Sequence, residues 1–531
     1  MAAIQVTAAG YIYGVTNGNR VVVRNSAGIP YVVVENYDNA SIDVYMGNSA
    51  TPTSFAEQDV THNPDATTFG SVSAAIDATG IIHIVYAEYI SKSSDLEYVQ
   101  FDTATNLFQN AVPINSDLGE EDTAITNIQT AIAVDLNNIP HILVSSAFKV
   151  GGSTQITVQY NNRINAFWNV SMIEIEGATA GKACDFPSIA IDLDNKPVIS
   201  YTNNTDDDVG TGIGNLNDAT SFTLYDVETD CEATSGTDLT SIAVDSSGNH
   251  YVAYRDEGDT YIYINKHTYG AAWTTWGTRQ TNSKNGINPS LCVRGTDVYI
   301  FYEEDTAHDI VYDKYTGTWG SGSWGGEVTL ETGTYDNVKA NWCKYASFNA
   351  SPTVVLSSPT DTQDITDDTP ALVFTGTDTS TFVDYVFADQ TVSRDIWWNS
   401  LAILGDEIEY NVQVDTVNTF TSPLLDKVSD TDDHTAWSGT GDPHPWPTGN
   451  TVIYTVQSAL PDNDTYYWRV RGKDPLGSNV YGAWSIPTWS FDLATGGGGT
   501  SIKTINGLAK ASCQTVNGLA IASVKTWNGL A

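Results

Sequence analysis

The chain is poor in cysteine, methionine and positive charge. Its 531 residues include 5 Cys and 3 Met, and 23 Lys and Arg stand against 64 Asp and Glu for a net charge of −41. Cys184, Cys231, Cys292, Cys343 and Cys513 form no C-x-x-C pair, which argues against a zinc site and gives no disulfide framework. Cys292, inside Leu291-Cys292-Val293, reads as a buried thiol. So acidic a chain repels nucleic acid and anionic lipid surfaces. No apolar run approaches the ~18 residues of a transmembrane helix, so no membrane insertion is expected. The opening MAAIQVTAAGYIYG has neither the basic nor the apolar region of a secretory signal. G-x-S-x-G, H-E-x-x-H and the P-loop are all missing.

What the chain has is strand chemistry. Tyr (28), Trp (14), Val, Ile and Thr dominate its local runs. One pattern recurs: an apolar strand, Asp, a short turn, and a second apolar strand. Copies start at Ser73 (SAAIDATGIIHIVYAEY), Thr130, Ser188 and Ser241, with degenerate copies at Val21 and Ser290. Arg24, Asp77, Asp135, Asp192, Asp245 and Arg294 align at the turn, with spacings of 53, 58, 57, 53 and 49. A period near ~50 residues with two strand pairs per repeat means β-propeller blades. Six blades are legible over 1–350, and 333–348 is the place for a seventh blade or a closing strand. Arg24 and Arg294, replacing the turn Asp, are expected to face outward.

The motif A-x-D-x-x-G-x-x-H resembles the Asp hairpins of BNR and sialidase-like propellers over roughly 330 residues. It departs from the strict Asp-box, which carries an aromatic shortly after its Gly. That resemblance implies an arginine triad, a Tyr nucleophile with a Glu partner, and an Asp acid. The arginines here are Arg20, Arg24, Arg163, Arg255, Arg279 and Arg294; none lies in an Arg-Ile-Pro setting, and no sialidase activity is expected. His83 and His141 share one repeat position, which Tyr31, Val198 and Tyr251 fill elsewhere, so packing is preferred there to metal binding or base catalysis. Among the acid-rich loops, Asp206, Asp207 and Asp208, and Asp430, Asp432 and Asp433, are candidate Ca²⁺ ligands against a default of solvated loops.

Residues 351–495 change character. Thr465-Tyr466-Tyr467-Trp468-Arg469-Val470 and Gly482-Ala483-Trp484-Ser485 resemble the last third of a fibronectin type III module, which implies a β-sandwich with Tyr466 or Tyr467 as a tyrosine corner. Two apparent insertions, 379–405 and 429–449, carry Trp397, Trp398, Trp437 and Trp446 in polar surroundings and make them candidate ligand-binding residues. A Gly linker at 496–500 precedes three 11-residue NGLA repeats in 501–531. In these, Thr504, Asn506 and Gly507, then Thr515, Asn517 and Gly518, then Thr526, Asn528 and Gly529 align, and Asn-Gly predicts strand–turn–strand ribbons. Such short ribbons need a partner to pack on. They loosely resemble repeats of phage virion proteins.

The expected architecture is all-β: a six-bladed propeller, or seven-bladed with the closing segment, then a sandwich and a β-repeat tail. The expected function is a non-catalytic virion-surface subunit, such as a head fibre, decoration or tail-fibre protein. It would bind a host-surface glycan or protein and be anchored on capsid or tail proteins, or on its own copies, through the repeats. The alternatives are a secreted or cell-surface carbohydrate-binding protein, and a propeller glycosidase or polysaccharide lyase.

Overall fold

The computed structural model is all-β and describes residues 3–7, 21–36, 41–58, 69–90, 93–115, 128–150, 153–164, 167–168, 173–176, 184–203, 206–229, 231, 240–245, 247–256, 258–294, 297–333, 335–342, 352–377, 381–389, 396–403, 407–429, 434–439, 445–462, 464–473 and 481–494, with four residue pairs of the tail. The chain divides into two units, Met1–Phe348 with Phe382–Ile403, and Asn349–Thr381 with Leu404–Ala531.

The first unit is a β-propeller of antiparallel meanders. The first blade is Val22–Arg24, Pro30–Asn36, Ser41–Gly47 and Phe55–Glu57; the second is Phe69–Ile76, Ile81–Ile90, Ser93–Asp102 and Leu107–Asn115. The long strand Gln280–Arg294 first completes the fifth blade and then, beyond a bulge, opens the sixth. Strand alternation makes the packing. On Pro30–Asn36, Tyr31 and Val33 pack with Val72 and Ala74 of the second blade, while Val32 and Val34 pack the opposite way against Val386, Ile396 and Trp398.

The repeated Asp builds the turn between first and second strands. Asp77 Oδ1 accepts from the amides of Thr79 (2.8 Å) and Ile81 (2.9 Å), and Asp135 Oδ1 from those of Asn137 and Ile139 (both 2.8 Å). Asn138 and Asn195 hold φ of 63° and 64° where other turns have Gly. Their side chains also bond the preceding blade's turn. Asn138 Oδ1 accepts from the Ala78 amide (3.2 Å), and Asn195 Nδ2 donates to Asp135 Oδ2 (2.7 Å).

Two expectations are corrected at the seam. Asn25, not Arg24, is the first blade's turn residue: its Oδ1 accepts from the amides of Ala27 (3.0 Å) and Ile29 (3.1 Å). Arg24 faces inward, 4% exposed, because its guanidinium meets the buried Asp384 through two nitrogens, Nη2 at 2.6 Å from Oδ1 and Nε against Oδ2. Its Nη1 donates to the carbonyls of Gly28 (2.6 Å) and Ala50 (2.7 Å).

The segment 379–405 is no insertion in the sandwich. Thr381–Asp389 and Ile396–Ile403 are strands of a seventh four-stranded sheet, whose first strand is Tyr335–Trp342 and whose outermost strand is the N-terminal Ile4–Gln5. Ile4 pairs with Trp398 and Gln5 with Trp397. First strands of successive sheets pack side by side, and that of the seventh returns against that of the first, which closes the ring.

The second unit is a two-sheet β-sandwich. One sheet orders Thr353–Ser358, Ala371–Thr377, Thr451–Thr455 and Trp437–Gly439; the other orders Gln363–Ile365, Trp489–Leu493, Asp464–Lys473, Glu407–Asp415 and Leu425–Val428. Phe374, Tyr410, Trp437, Trp446, Tyr454, Trp468 and Phe491 fill the space between. The Tyr466 hydroxyl donates to the Pro461 carbonyl at 2.7 Å, the corner bond read from the sequence. In the tail, Thr504–Ile505 pairs antiparallel with Leu508–Ala509, and Thr515–Val516 with Leu519–Ala520. Gly507, Gly518, Asn506, Asn517 and the third repeat's Thr526, Asn528 and Gly529 lie outside the described residues.

Breaking a buried ion pair by removing one partner costs about 3–5 kcal/mol. Arg24→Met strands the Asp384 carboxylate and is expected to lower the propeller's thermal transition strongly. Replacing both residues, Arg24→Met with Asp384→Leu, recovers most of that loss. Calorimetry of single and double variants decides it: single variants that melt like the parent sink the ring-closure role.

Candidate functional site

Of the sequence-selected residues that are described, Trp437 and Trp446 meet in the sandwich core, ring centroids 5.8 Å apart. Trp398, Trp437 and Trp446 are 0%, 5% and 1% exposed and belong to hydrophobic cores, which leaves no face for a ligand. Trp397 is half-buried and packs against the cluster of Phe301, Tyr385 and Phe387. Their polar sequence neighbours suggested surface loops, but alternation within strands hides the rings. Asp206 is exposed, and Asp207 and Asp208 are half-buried where the chain enters Asp208–Gly214. Asp206 accepts from Asn203 Nδ2 (2.9 Å). No group of three or more His, Cys, Asp or Glu side chains among the described residues is arranged to hold a metal. Asp430, Asp432 and Asp433 lie outside the described residues.

His83 and His141 are packing residues. His83 Nε2 donates to Asp77 Oδ2 (3.2 Å), and its Nδ1 accepts from the Tyr98 hydroxyl (2.5 Å). Burial lowers the His83 pKa and pushes Tyr98 up to about 12, so the relay is neutral imidazole to neutral phenol. His141 repeats the bond with the Tyr160 hydroxyl at 2.6 Å. Both imidazoles lie toward the Asp-turn end of their blades, each tied to a tyrosine of the third strand.

Chemistry gathers instead at the other end of the second strands, away from the Asp turns. Four residues beyond the His83 position, the seven blades carry Glu35, Ala87, Ser145, Thr202, Arg255, Glu303 and Ala388, all buried. In blades two, four, six and seven the facing first strand bulges near this level, and Ser71, Phe186 and Asn288 take positive φ there. The bulge turns polar groups toward the ring position. Ser145 Oγ bonds Asp185 Oδ1 (2.9 Å) and the Cys184 carbonyl (3.0 Å). Burial raises the Asp185 pKa, and the Ser145 bond opposes that only in part.

Two ring-position carboxyls are held in opposite ways. Glu303 is 1% exposed and enclosed by partners: His308 Nδ1 at 2.6 Å from Oε1, and Asn288 Nδ2 donating to Oε2 at 3.2 Å. Glu35 is 2% exposed and has no side-chain hydrogen bond or ion pair with any described residue. It continues the face of Tyr31 and Val33 to the end of an apolar strand. Desolvation alone drives its pKa well above the carboxylate range, so it carries a proton where ordinary glutamates do not. The other ring-position ion, Arg255, reaches Asp305 (Nη2–Oδ2 3.7 Å). Sequence reading passed over Glu35, yet a signal was present: an acid in Val-Val-Val-Glu-Asn, where sister repeats have Ala87, Ser145 and Thr202.

No family model matches the chain, and no curated protein sequence matches it. Solved structures similar to it include an α-L-arabinofuranosidase from Fusarium graminearum in complex with an iminosugar inhibitor (8% identity, TM-score 0.40, 76% of this chain and 98% of that one). A second is an ulvan lyase bound to a GlcA–Rha3S unit (11% identity, TM-score 0.40, 74% and 96%). A third is an α-L-arabinanase from Penicillium chrysogenum complexed with arabinobiose (9% identity, TM-score 0.39, 57% and 94%). At these values the likeness concerns the fold. Where the sequence led to the expectation of a non-catalytic virion-surface subunit, the similar structures are instead glycan-cleaving enzymes, a likeness of fold that carries no role over to this chain.

Proposed function

We propose that the chain is a propeller glycoside hydrolase in which Glu35 protonates the glycosidic oxygen and Glu303 is the ionised carboxylate. The observation that carries this reading is Glu35, a buried acid with no hydrogen-bond or ion-pair partner among the described residues, whose burial raises its pKa. Hydrolysis of a glycoside needs one carboxyl protonated and one ionised, and enzymes obtain the pair by giving the two groups opposite environments. Asn288 and His308 supply the polar environment at Glu303, whereas Glu35 ends the apolar strand run Val32-Val33-Val34. Elimination of a uronate, the lyase alternative, needs a cation free to neutralise the sugar carboxylate. The cation at this ring level, Arg255, faces Asp305. The corner bond of Tyr466 and the two-sheet core support reading the second unit as a fibronectin type III-like accessory module.

Reducing-end release from a panel of neutral and uronic polysaccharides tests the activity. Glu35→Gln is expected to lower kcat by about 10²–10⁴-fold, the usual contribution of a general acid. No release from any substrate, or a fully active Glu35→Gln, defeats the proposal. Ultraviolet-absorbing unsaturated products would replace it with elimination.

The same variant gives a second readout. Glu35 titrates higher folded than unfolded, where the ordinary value is 4.5. Below that value both states are protonated and the residue has no pH-linked effect. As pH rises, the unfolded chain ionises first, and parent stability falls until pH passes the folded value. Glutamine lacks this loss. The melting temperature of Glu35→Gln is therefore expected to match or exceed the parent's, with a gap that opens above about pH 4.5. A gap that narrows with rising pH would mean that Glu35 is stabilised as a carboxylate.

A further inference from the structure

The sandwich carries an alternating ladder of cations and rings that the proposed hydrolysis does not use. Asp464–Lys473 buries Tyr466, Trp468, Val470 and Gly472 and turns Arg469, Arg471 and Lys473 to the other face. Arg469 lies 4.1 Å from the ring centroids of both Phe420 and Trp484. Arg471 lies 4.3 Å from Trp484 and 4.9 Å from Tyr481, and Lys473 is 5.1 Å from Tyr481.

The guanidiniums are fixed from behind. Arg469 donates through Nε (3.0 Å) and Nη2 (2.7 Å) to Gln413 Oε1, and Arg471 through Nε (2.9 Å) to Asn411 Oδ1. Asp426 accepts from both amides, at 2.8 Å from Gln413 and 2.7 Å from Asn411, which aims their carbonyl oxygens at the arginines. Arg469 Nη1 and both terminal nitrogens of Arg471 keep donors that no described residue takes. Rings hold the planes, amides hold the Nε ends, and the half-exposed outer edges present planar N–H pairs suited to bidentate oxyanions. Neighbouring rungs repeat every second strand residue, a pitch of roughly 7 Å.

We infer that this ladder is a binding strip for a linear carboxylated polysaccharide. Charge singles it out: residues 351–495 contain five Lys and Arg (Arg394, Lys427, Arg469, Arg471, Lys473), and three of them stand on this one strand. Topology favours a sugar chain over an acidic peptide. Peptide strands dock on a sheet edge by backbone pairing, whereas Asp464–Lys473 is flanked by Glu407–Asp415 on one side and Trp489–Leu493 on the other. The inference does not rest on Glu35 or on catalysis.

The test is calorimetric titration of the full chain with oligogalacturonate at low salt, with dextran of equal length as the uncharged control. Oligogalacturonate is expected to bind, dextran not, and affinity to fall as salt screens the strip. Arg471→Gln should weaken binding about ten-fold or more, the scale of one lost charge-assisted fork. Arg471→Lys, which keeps charge and stacking, should weaken it less, and Lys427→Gln should leave it unchanged. Glu35→Gln should bind like the parent, which separates this result from the fate of the hydrolase proposal. No binding by the parent, or an Arg471→Gln variant with the parent's Kd, overturns the inference. Polyglutamate binding more tightly than oligogalacturonate overturns it in favour of an acidic protein partner.

Discussion

A ring of sheets has one seam, and the first unit depends on what crosses it. Within each blade the strands are near in sequence and pair through short turns. The closure joins chain segments some 360 residues apart, Arg24 and Asp384. Loop entropy rises only slowly with such separation, so the seam must supply interactions and not merely proximity. It supplies three kinds at once. Ile4–Gln5 pairs with the third strand of the last blade, Trp398 fills the gap beside Val32 and Val34, and the Arg24–Asp384 pair locks the turn end. Burial pulls the Asp384 carboxyl toward its neutral form and Arg24 opposes that, so each charge is tolerable only because the other is there.

The same dependence explains which parts of the fold were legible. The Asp turns could be read because each is local: acceptor, amides and the positive-φ residue lie within five positions, as at Asp77 to Ile81. The seventh blade could not be read whole. It has no Asp turn, its second strand starts at Thr381, far from its first at Tyr335–Trp342, and its last strand comes from the other end of the chain. Its hairpin therefore passed for a sandwich insertion. Arg24 was aligned to the turn by counting, and only the bonds of Asn25 show the shift of one residue. Trp397 and Trp398 were misplaced for a related reason, since Asp395 and Asn399 give a polar context that strand alternation overrides.

Of the candidate site, even less could be read. A ring position draws one residue from each blade, and its members lie 48 to 85 residues apart with no residue type common to all. Glu35 and Glu303 acquire meaning only when the register places them at the same level as Ala87, Ser145 and Thr202. Their difference is environmental as well. Asn288 reaches Glu303 because the bulge before Ser290 gives it a positive φ, while the apolar strand leading to Glu35 provides no donor.

Arg24, Glu35 and the sandwich ladder are three answers to one problem, how to keep an ionisable group out of water. Arg24 and Asp384 neutralise each other, and the gain goes to the fold. Arg469 and Arg471 spread their charge over rings and amide oxygens, which leaves outer N–H edges unspent. Glu35 has neither solution among the described residues, and burial raises its pKa and favours the protonated form. A protein gains nothing in stability from such a group, since leucine or glutamine would pack there without the cost. In an enzyme the reluctance to ionise is the useful property, because an acid that would rather be neutral gives up its proton to a bond whose breaking generates a stronger base. The seam supplies the frame: the ring closes through its first and seventh sheets, and within it Glu35 meets no hydrogen-bond or ion-pair partner among the described residues.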